Sequence, residues 1–127
     1  MKLTNDHFEM FKGYCLEYQE KFNLKHVTLY FKFEKIDGGA YADCESDKMY
    51  VATIRLNKGS IDPKDHGGDV DTFLRETARH EMVHAVTGRV YQIASDRWAS
   101  KDQLFTAEEE VCKLIENIIA AYERGAI

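Results

Sequence analysis

Hydrophobic side chains recur with two different periods in the first half of the chain. Between residues 4 and 23 they lie three or four positions apart, as on one face of a helix, and Thr4 is suited to cap that helix. Over residues 26–36, apolar and polar side chains alternate instead. Because successive side chains of a strand point to opposite faces, this second period predicts a half-buried strand.

The segments that follow favour turns and short strands. Gly38 and Gly39 predict a turn, and residues 40–43 and 49–56 are predicted to form two further strands. With the first strand, they would make a three-stranded, mostly antiparallel sheet. Residues 57–71 are rich in glycine and aspartate, which predicts a loop.

Helical spacing returns in the second half of the chain. Asp69 or Asp71 can cap a helix that ends at Gly88, and residues 106–124 carry apolar side chains along one side of a last helix. Residues 91–105 fit either a loop or a short broken helix. The order α-β-β-β-α-α predicts an α+β fold, with helices around one small sheet, and residues 1–127 are predicted to form a single domain.

Composition narrows the class of protein. The 127 residues are 44% hydrophobic, which excludes a disordered chain, and a net charge of −5 without a basic block disfavours a nucleic-acid partner. The cysteines Cys15, Cys44 and Cys112 lie far apart and form no CxxC pair, which is typical of a reducing compartment. The sequence contains neither an apolar signal segment nor a membrane span, so we predict a cytoplasmic protein without a membrane partner.

Residues 80–84, with the sequence HEMVH, form an HExxH motif. On a helix, residues four apart lie on the same face, so His80 and His84 can bind one metal ion. Glu81 lies about 100° round the helix, where it can reach a water on that ion and accept its proton as general base. Catalytic Zn²⁺ takes three protein ligands and keeps one position for water. The motif therefore predicts a zinc site that needs one further ligand.

The last helix is predicted to supply the third ligand. No histidine follows His84, so a downstream ligand is a carboxylate, a thiolate or water. On a helical wheel, Glu108 falls within the apolar arc, whereas Glu109 points to the far side and Glu110 lies beyond the arc. A carboxylate directed into an apolar face needs a partner, and we therefore predict Glu108 as the ligand. The alternatives are Glu109, Glu110, Asp96 and Cys112.

The HExxH motif, followed by Glu108 24 residues after its second histidine, resembles the HExxH…E arrangement of gluzincin metallopeptidases. The chain is similar in size to the minimal gluzincins and to the ImmA/IrrE-like peptidases of phages and mobile elements. The resemblance covers residues 40–120 and implies a small zincin-like fold. The same resemblance implies that the protein hydrolyses peptide bonds in a protein or peptide substrate. It also implies that a strand upstream of the zinc helix pairs with the substrate, and residues 49–57 are the candidate.

Other zinc peptidase classes fit less well. Metzincins have glycine and histidine where this chain has Thr87 and Val90, and SprT-like proteins use a later histidine that is absent here. Larger gluzincins often have an aspartate one turn after the ligand glutamate, where this chain has Cys112. The alternative function is a catalytically silent zinc-binding regulatory or inhibitor protein, for example one encoded by a phage, that binds a host protein.

Three further side chains are candidates for stabilising charge in a transition state. These are His66, Tyr41 and Tyr91. The sequence leaves the oligomeric state and the cleavage specificity open.

Overall fold

Three helices and three strands make up the protein. The computed structural model describes residues 1–22, 24–46, 50–59, 61, 62, 64, 68–95 and 100–125. Within these ranges the elements are α1 (Asn5–Lys21), β1 (Thr28–Glu34), β2 (Ala42–Ser46), β3 (Val51–Asn57), α2 (Val70–Ser95) and α3 (Lys101–Glu123). The predicted α+β class and the order of the elements are confirmed.

The three strands form a mixed sheet in the order β1-β3-β2. β3 pairs with β1 in parallel, Thr28 opposite Val51, and with β2 antiparallel, Ala42 opposite Leu56. The predicted mostly antiparallel sheet is therefore not confirmed, because β3 inserts between the two strands that precede it. Since β3 is central, its backbone groups are paired on both sides. The prediction that residues 49–57 pair with a substrate is wrong for this reason.

α1 and α2 pack on one face of the sheet, and α3 packs on α2. Side chains of β3 that point to this face, such as Ile54 and Leu56, are fully buried with Phe11 of α1 and Met82 of α2 in one hydrophobic core. On the opposite face, Arg55 forms ion pairs with Asp43 and Glu34. α2 contacts α1, β2 and α3, and it is thus the central helix of the fold.

The first two helices begin as predicted, but α2 ends later. Thr4 caps α1 in a capping box, and the backbone N–H of Thr72 donates to the Asp69 carboxylate at the start of α2. α2 continues beyond Gly88 to Ser95. A Cβ atom on Gly88 would lie 2.5 Å from Oγ of Ser46 in β2, so this glycine allows close contact between helix and strand. It does not end the helix.

α3 begins five residues earlier than predicted. Ser100 caps it and forms a capping box with Gln103. Cys112 is fully buried, whereas Val111, Ile118 and Tyr122 are 44%, 51% and 72% exposed. The helix is therefore rotated relative to the arrangement that its most apolar stripe predicted. Among the described residues, no helix is long and apolar enough to cross a membrane.

Candidate metal centre

His80 and His84 lie on one face of α2, and their rings approach each other. The two Nε2 atoms are 3.2 Å apart, and the ring planes are close to perpendicular, at 83°. Two ligand atoms of a tetrahedral zinc ion are about 3.3 Å apart, given zinc–nitrogen bonds of about 2.0–2.1 Å. The HExxH motif thus brings its two imidazoles together at the spacing that one ion requires.

A carboxylate of α3 contacts the other nitrogen of each ring. Nδ1 of His80 lies 2.7 Å from Oε2 of Glu116, and Nδ1 of His84 lies 3.1 Å from Oε1 of Glu108. An ionised carboxylate only accepts hydrogen bonds, so each Nδ1 carries the hydrogen that it donates. In the neutral rings, both Nε2 atoms are then lone-pair acceptors that face the same point.

Glu109 of α3 lies next to the point that the two Nε2 atoms face. Its Oε1 lies 2.8 Å from Nε2 of His84, and its Oε2 lies 3.8 Å from Nε2 of His80. Ligand atoms of the three residues all lie within 4.8 Å of one another, a group that could hold a metal ion. Two lone pairs and a carboxylate that converge in this way attract a cation, either a proton or a metal ion.

Glu109 lies on a different side of α3 from that predicted, and Glu108 meets a different atom of the histidine pair. The inference that Glu109 points away from the site is wrong, because α3 presents its Cys112 side to α2 instead of its Val111 side. Glu108 does face inward, but it meets Nδ1 of His84 and also accepts a hydrogen bond of 2.9 Å from Thr87 Oγ1. It does not approach the point shared by the two Nε2 atoms.

Cys112 also lies close to His84, whereas Glu110 has no described contact with either histidine. Sγ of Cys112 lies 3.4 Å from Nδ1 of His84, and with Glu108 these residues form a second group that could hold a metal ion. Glu110 is exposed on the outer side of α3. Asp96, also considered as the third ligand, lies outside the described residues, as does His66.

The acidic surroundings favour positive charge on the histidines. The hydrogen bond with Glu116 raises the pKa of His80 above its ordinary value, although burial opposes this effect. Burial also lowers the pKa of His84, but hydrogen bonds with Cys112 and Glu108 outweigh it and raise the value to about 11. The nearby acidic groups stabilise a positive charge at the two imidazoles, whether a proton or a metal ion carries it. These two cations compete for the same ring nitrogens.

Glu81 is almost completely buried, at 4% exposure, and it lines the cavity beside the histidines. Burial raises the pKa of its carboxyl group to about 7, while the nearby His80 and His84 favour the charged form. Among the described residues, Glu81 has no hydrogen-bond or ion-pair partner. A buried carboxyl group without a partner is costly, and this one is free to bind a group that enters the cavity.

The cavity in front of these residues has a volume of about 690 Å³ and lies between β2, α2 and α3. The candidate residues Tyr41 and Tyr91 both line it, at its β2 wall and on the last turns of α2. A space of this size can take a short stretch of an extended peptide.

Sequence reasoning missed two residues of this centre. Glu116 and Thr87 each bind a member of the cluster, yet neither was a candidate. Glu116 lies two helical turns after Glu108 and Glu109, so it shares their face of α3. A search for carboxylates at this spacing could have found it.

Comparison with protein-family models, curated proteins and solved structures found no match to this chain. The similarity to gluzincins therefore stays a prediction.

Proposed function

We propose that this protein is a zinc-dependent peptidase, in which His80, His84 and Glu109 hold the metal ion. The observation that carries the proposal is the convergence of both Nε2 atoms and the Glu109 carboxylate on one point. Two imidazoles and a carboxylate are the ligand set of many catalytic zinc sites, which leave the fourth position for water. Glu109 is favoured over the predicted Glu108 because Glu108 meets only the Nδ1 side of His84.

Glu108 and Glu116 orient the two ligand rings. Each accepts the Nδ1–H of one histidine, which fixes the tautomer and directs the Nε2 lone pair into the cavity. Thr87 in turn donates to Glu108 and holds it in place. In this proposal the α3 carboxylates divide into one ligand and two orienting groups.

Glu81 is the general base of the proposed reaction. Zinc lowers the pKa of a water bound to it to about 7, so that a neighbouring carboxylate can accept the proton. Glu81 lies next to His80 in the chain, lines the cavity and has no partner among the described residues that would occupy its oxygens. A metal site with only a structural role has no need of such a buried carboxylate.

The proposed substrate is an extended peptide that pairs with β2. Among the described strands, β2 pairs with β3 alone, so its other edge is free. Ala42, Asp43, Cys44, Glu45 and Ser46 all line the cavity. An exposed edge can accept a further strand through backbone hydrogen bonds, which bind peptides irrespective of most side chains. This edge takes the role that the sequence resemblance assigned to residues 49–57.

The experiment that tests the proposal compares wild-type protein with the Glu81→Gln variant. Both are loaded with zinc and incubated with a library of fluorogenic, internally quenched peptides. We expect one zinc per chain in both proteins and a loss of about 10²–10⁴-fold in turnover in the variant. Glu110→Gln, on the exposed side of α3, is the matched control and keeps full turnover.

Two outcomes would contradict the proposal. If Glu81→Gln cleaves as fast as wild type, Glu81 is not the base. If zinc-loaded wild type cleaves no member of the library, the result favours a regulatory protein that binds metal without turnover. Metal content, measured on the same samples, separates a lost ion from a lost base.

A further inference from the structure

The walls of the cavity carry an excess of negative charge. Of the described residues that line it, seven are aspartate or glutamate, whereas Lys113 is the one lysine or arginine among them. Carboxylates at the rim and in the depth of a concave, partly desolvated site reinforce one another and attract cationic ligands. Their number is larger than a single metal centre needs.

Three of these carboxylates have partners within the protein, and the two that accept hydrogen bonds from neutral histidines keep their negative charge. Asp43 is paired with Arg55, and Glu108 and Glu116 bind the two histidines. A divalent ion at the proposed centre would offset Glu109 and one further carboxylate. Glu45 belongs to neither group: it is exposed at the rim of the same cavity, on the sheet face that also carries Asp43 and Arg55. The cavity therefore stays acidic when the metal centre is filled.

Two independent features indicate that a ligand enters this acidic cavity. One edge of β2 pairs with no described strand and offers backbone groups to an extended chain, and Glu45 lies on β2, opposite Thr53 of β3. Glu81 presents a buried carboxyl group without a described partner to the same space. Backbone recognition alone does not select among peptides, so the side chains that flank the edge determine which peptide binds.

We propose that the cleft selects cationic peptides, with lysine or arginine beside the peptide bond that faces the histidine pair, and that Glu45 is a specificity-determining residue. This inference rests on the proposed function for the position of the reacting bond. It adds the chemical class of the substrate: a basic extended segment instead of an acidic or apolar one.

The test uses the zinc-loaded Glu81→Gln protein, in which we expect bound peptide to be consumed about 10²–10⁴-fold more slowly than in wild type. Two synthetic nonapeptides of alternating alanine and threonine are labelled at one end, one with three lysines and the other with three glutamates at the same positions. Fluorescence anisotropy gives the dissociation constants. We expect the lysine peptide to bind at least about tenfold more tightly at low salt, with a smaller ratio at high ionic strength.

Two charge-reversal variants locate the effect. Glu45→Lys and Glu20→Lys change the net charge equally, but Glu20 is exposed on α1, away from the cavity. We expect Glu45→Lys to reduce the preference for lysine several-fold and Glu20→Lys to leave it unchanged. Equal binding of both peptides, no binding of either, or equal effects of the two variants would each overturn the inference. Zinc content of the same samples tests the proposed metal centre separately, so the two failures are distinguishable.

Discussion

The two helices that face the cavity differ in what determines the position of their functional side chains. His80, Glu81 and His84 occupy little more than one turn of α2, so their relative positions follow from helical geometry alone. Glu108, Glu109 and Glu116 belong to α3, which packs chiefly on α2. Which of them meets an imidazole, and at which nitrogen, depends on the rotation of α3 about its axis. Spacing within one helix is thus predictable from sequence, whereas a contact between two helices requires their packing.

Removing the α2 half of the centre should have the largest effect. The double substitution His80→Ala and His84→Ala deletes both nitrogen ligands, so we expect metal content to fall from about one zinc per chain to nearly none. Elemental analysis after dialysis against a weak chelator measures this. Equal zinc content in the variant and in wild type would show that the ion binds elsewhere and that α2 does not supply its ligands.

Substitutions on α3 rank its carboxylates by their contribution to zinc affinity. We expect Glu109→Gln to weaken zinc binding by more than about 100-fold, because it removes a ligand, and Glu108→Gln by about 10–100-fold, because it removes an orienting group. Glu110→Gln is the control and should change the affinity less than about twofold. Competition with a chromogenic chelator gives the three affinities. A larger loss in Glu108→Gln than in Glu109→Gln would restore Glu108 as the ligand.

Features of the fold that depend on neighbouring residues could be predicted from the sequence. Features that depend on which surfaces pack together could not. The Thr4 cap, the α1 and β1 segments and the approach of His80 and His84 on one helix face each depend on neighbouring residues and were predicted correctly. The parallel pairing of β1 with β3 was not, because strand order depends on contacts between distant segments. The rotation of α3 was misjudged because Val111, Ile118 and Tyr122 form its most apolar stripe. The structure instead buries the face of α3 that contains Cys112. Glu108 and Glu116, which contact the histidines, also lie toward α2.

Gly88 offers a test of the contact between α2 and the edge strand. In Gly88→Ala, the new Cβ would lie 2.5 Å from Oγ and 2.6 Å from Cβ of Ser46. We expect this clash to lower the free energy of unfolding by about 1–3 kcal/mol, despite the better helix propensity of alanine. Urea denaturation measures the change.

The double variant Gly88→Ala, Ser46→Gly tests the cause of that loss. Glycine at position 46 removes both atoms that the new methyl group meets, so part of the stability should return. If Gly88→Ala alone stabilises the protein, the glycine serves no close contact, and α2 and β2 lie farther apart than described.

The smallest expected effect tests the rotation of α3 directly. Ile118 is 51% exposed, whereas Ile54 in β3 is fully buried, so the same substitution to alanine probes two environments. We expect Ile54→Ala to lower the free energy of unfolding by about 2–5 kcal/mol, because it leaves a cavity in the core. Ile118→Ala should change it by no more than about 0.5 kcal/mol, since the lost contacts are few and alanine favours the helix. A loss above about 2 kcal/mol at position 118 would mean that the apolar stripe faces the core. Glu109 would then turn away from the histidines, as its position on the wheel first indicated, and the case for it as a ligand would fail.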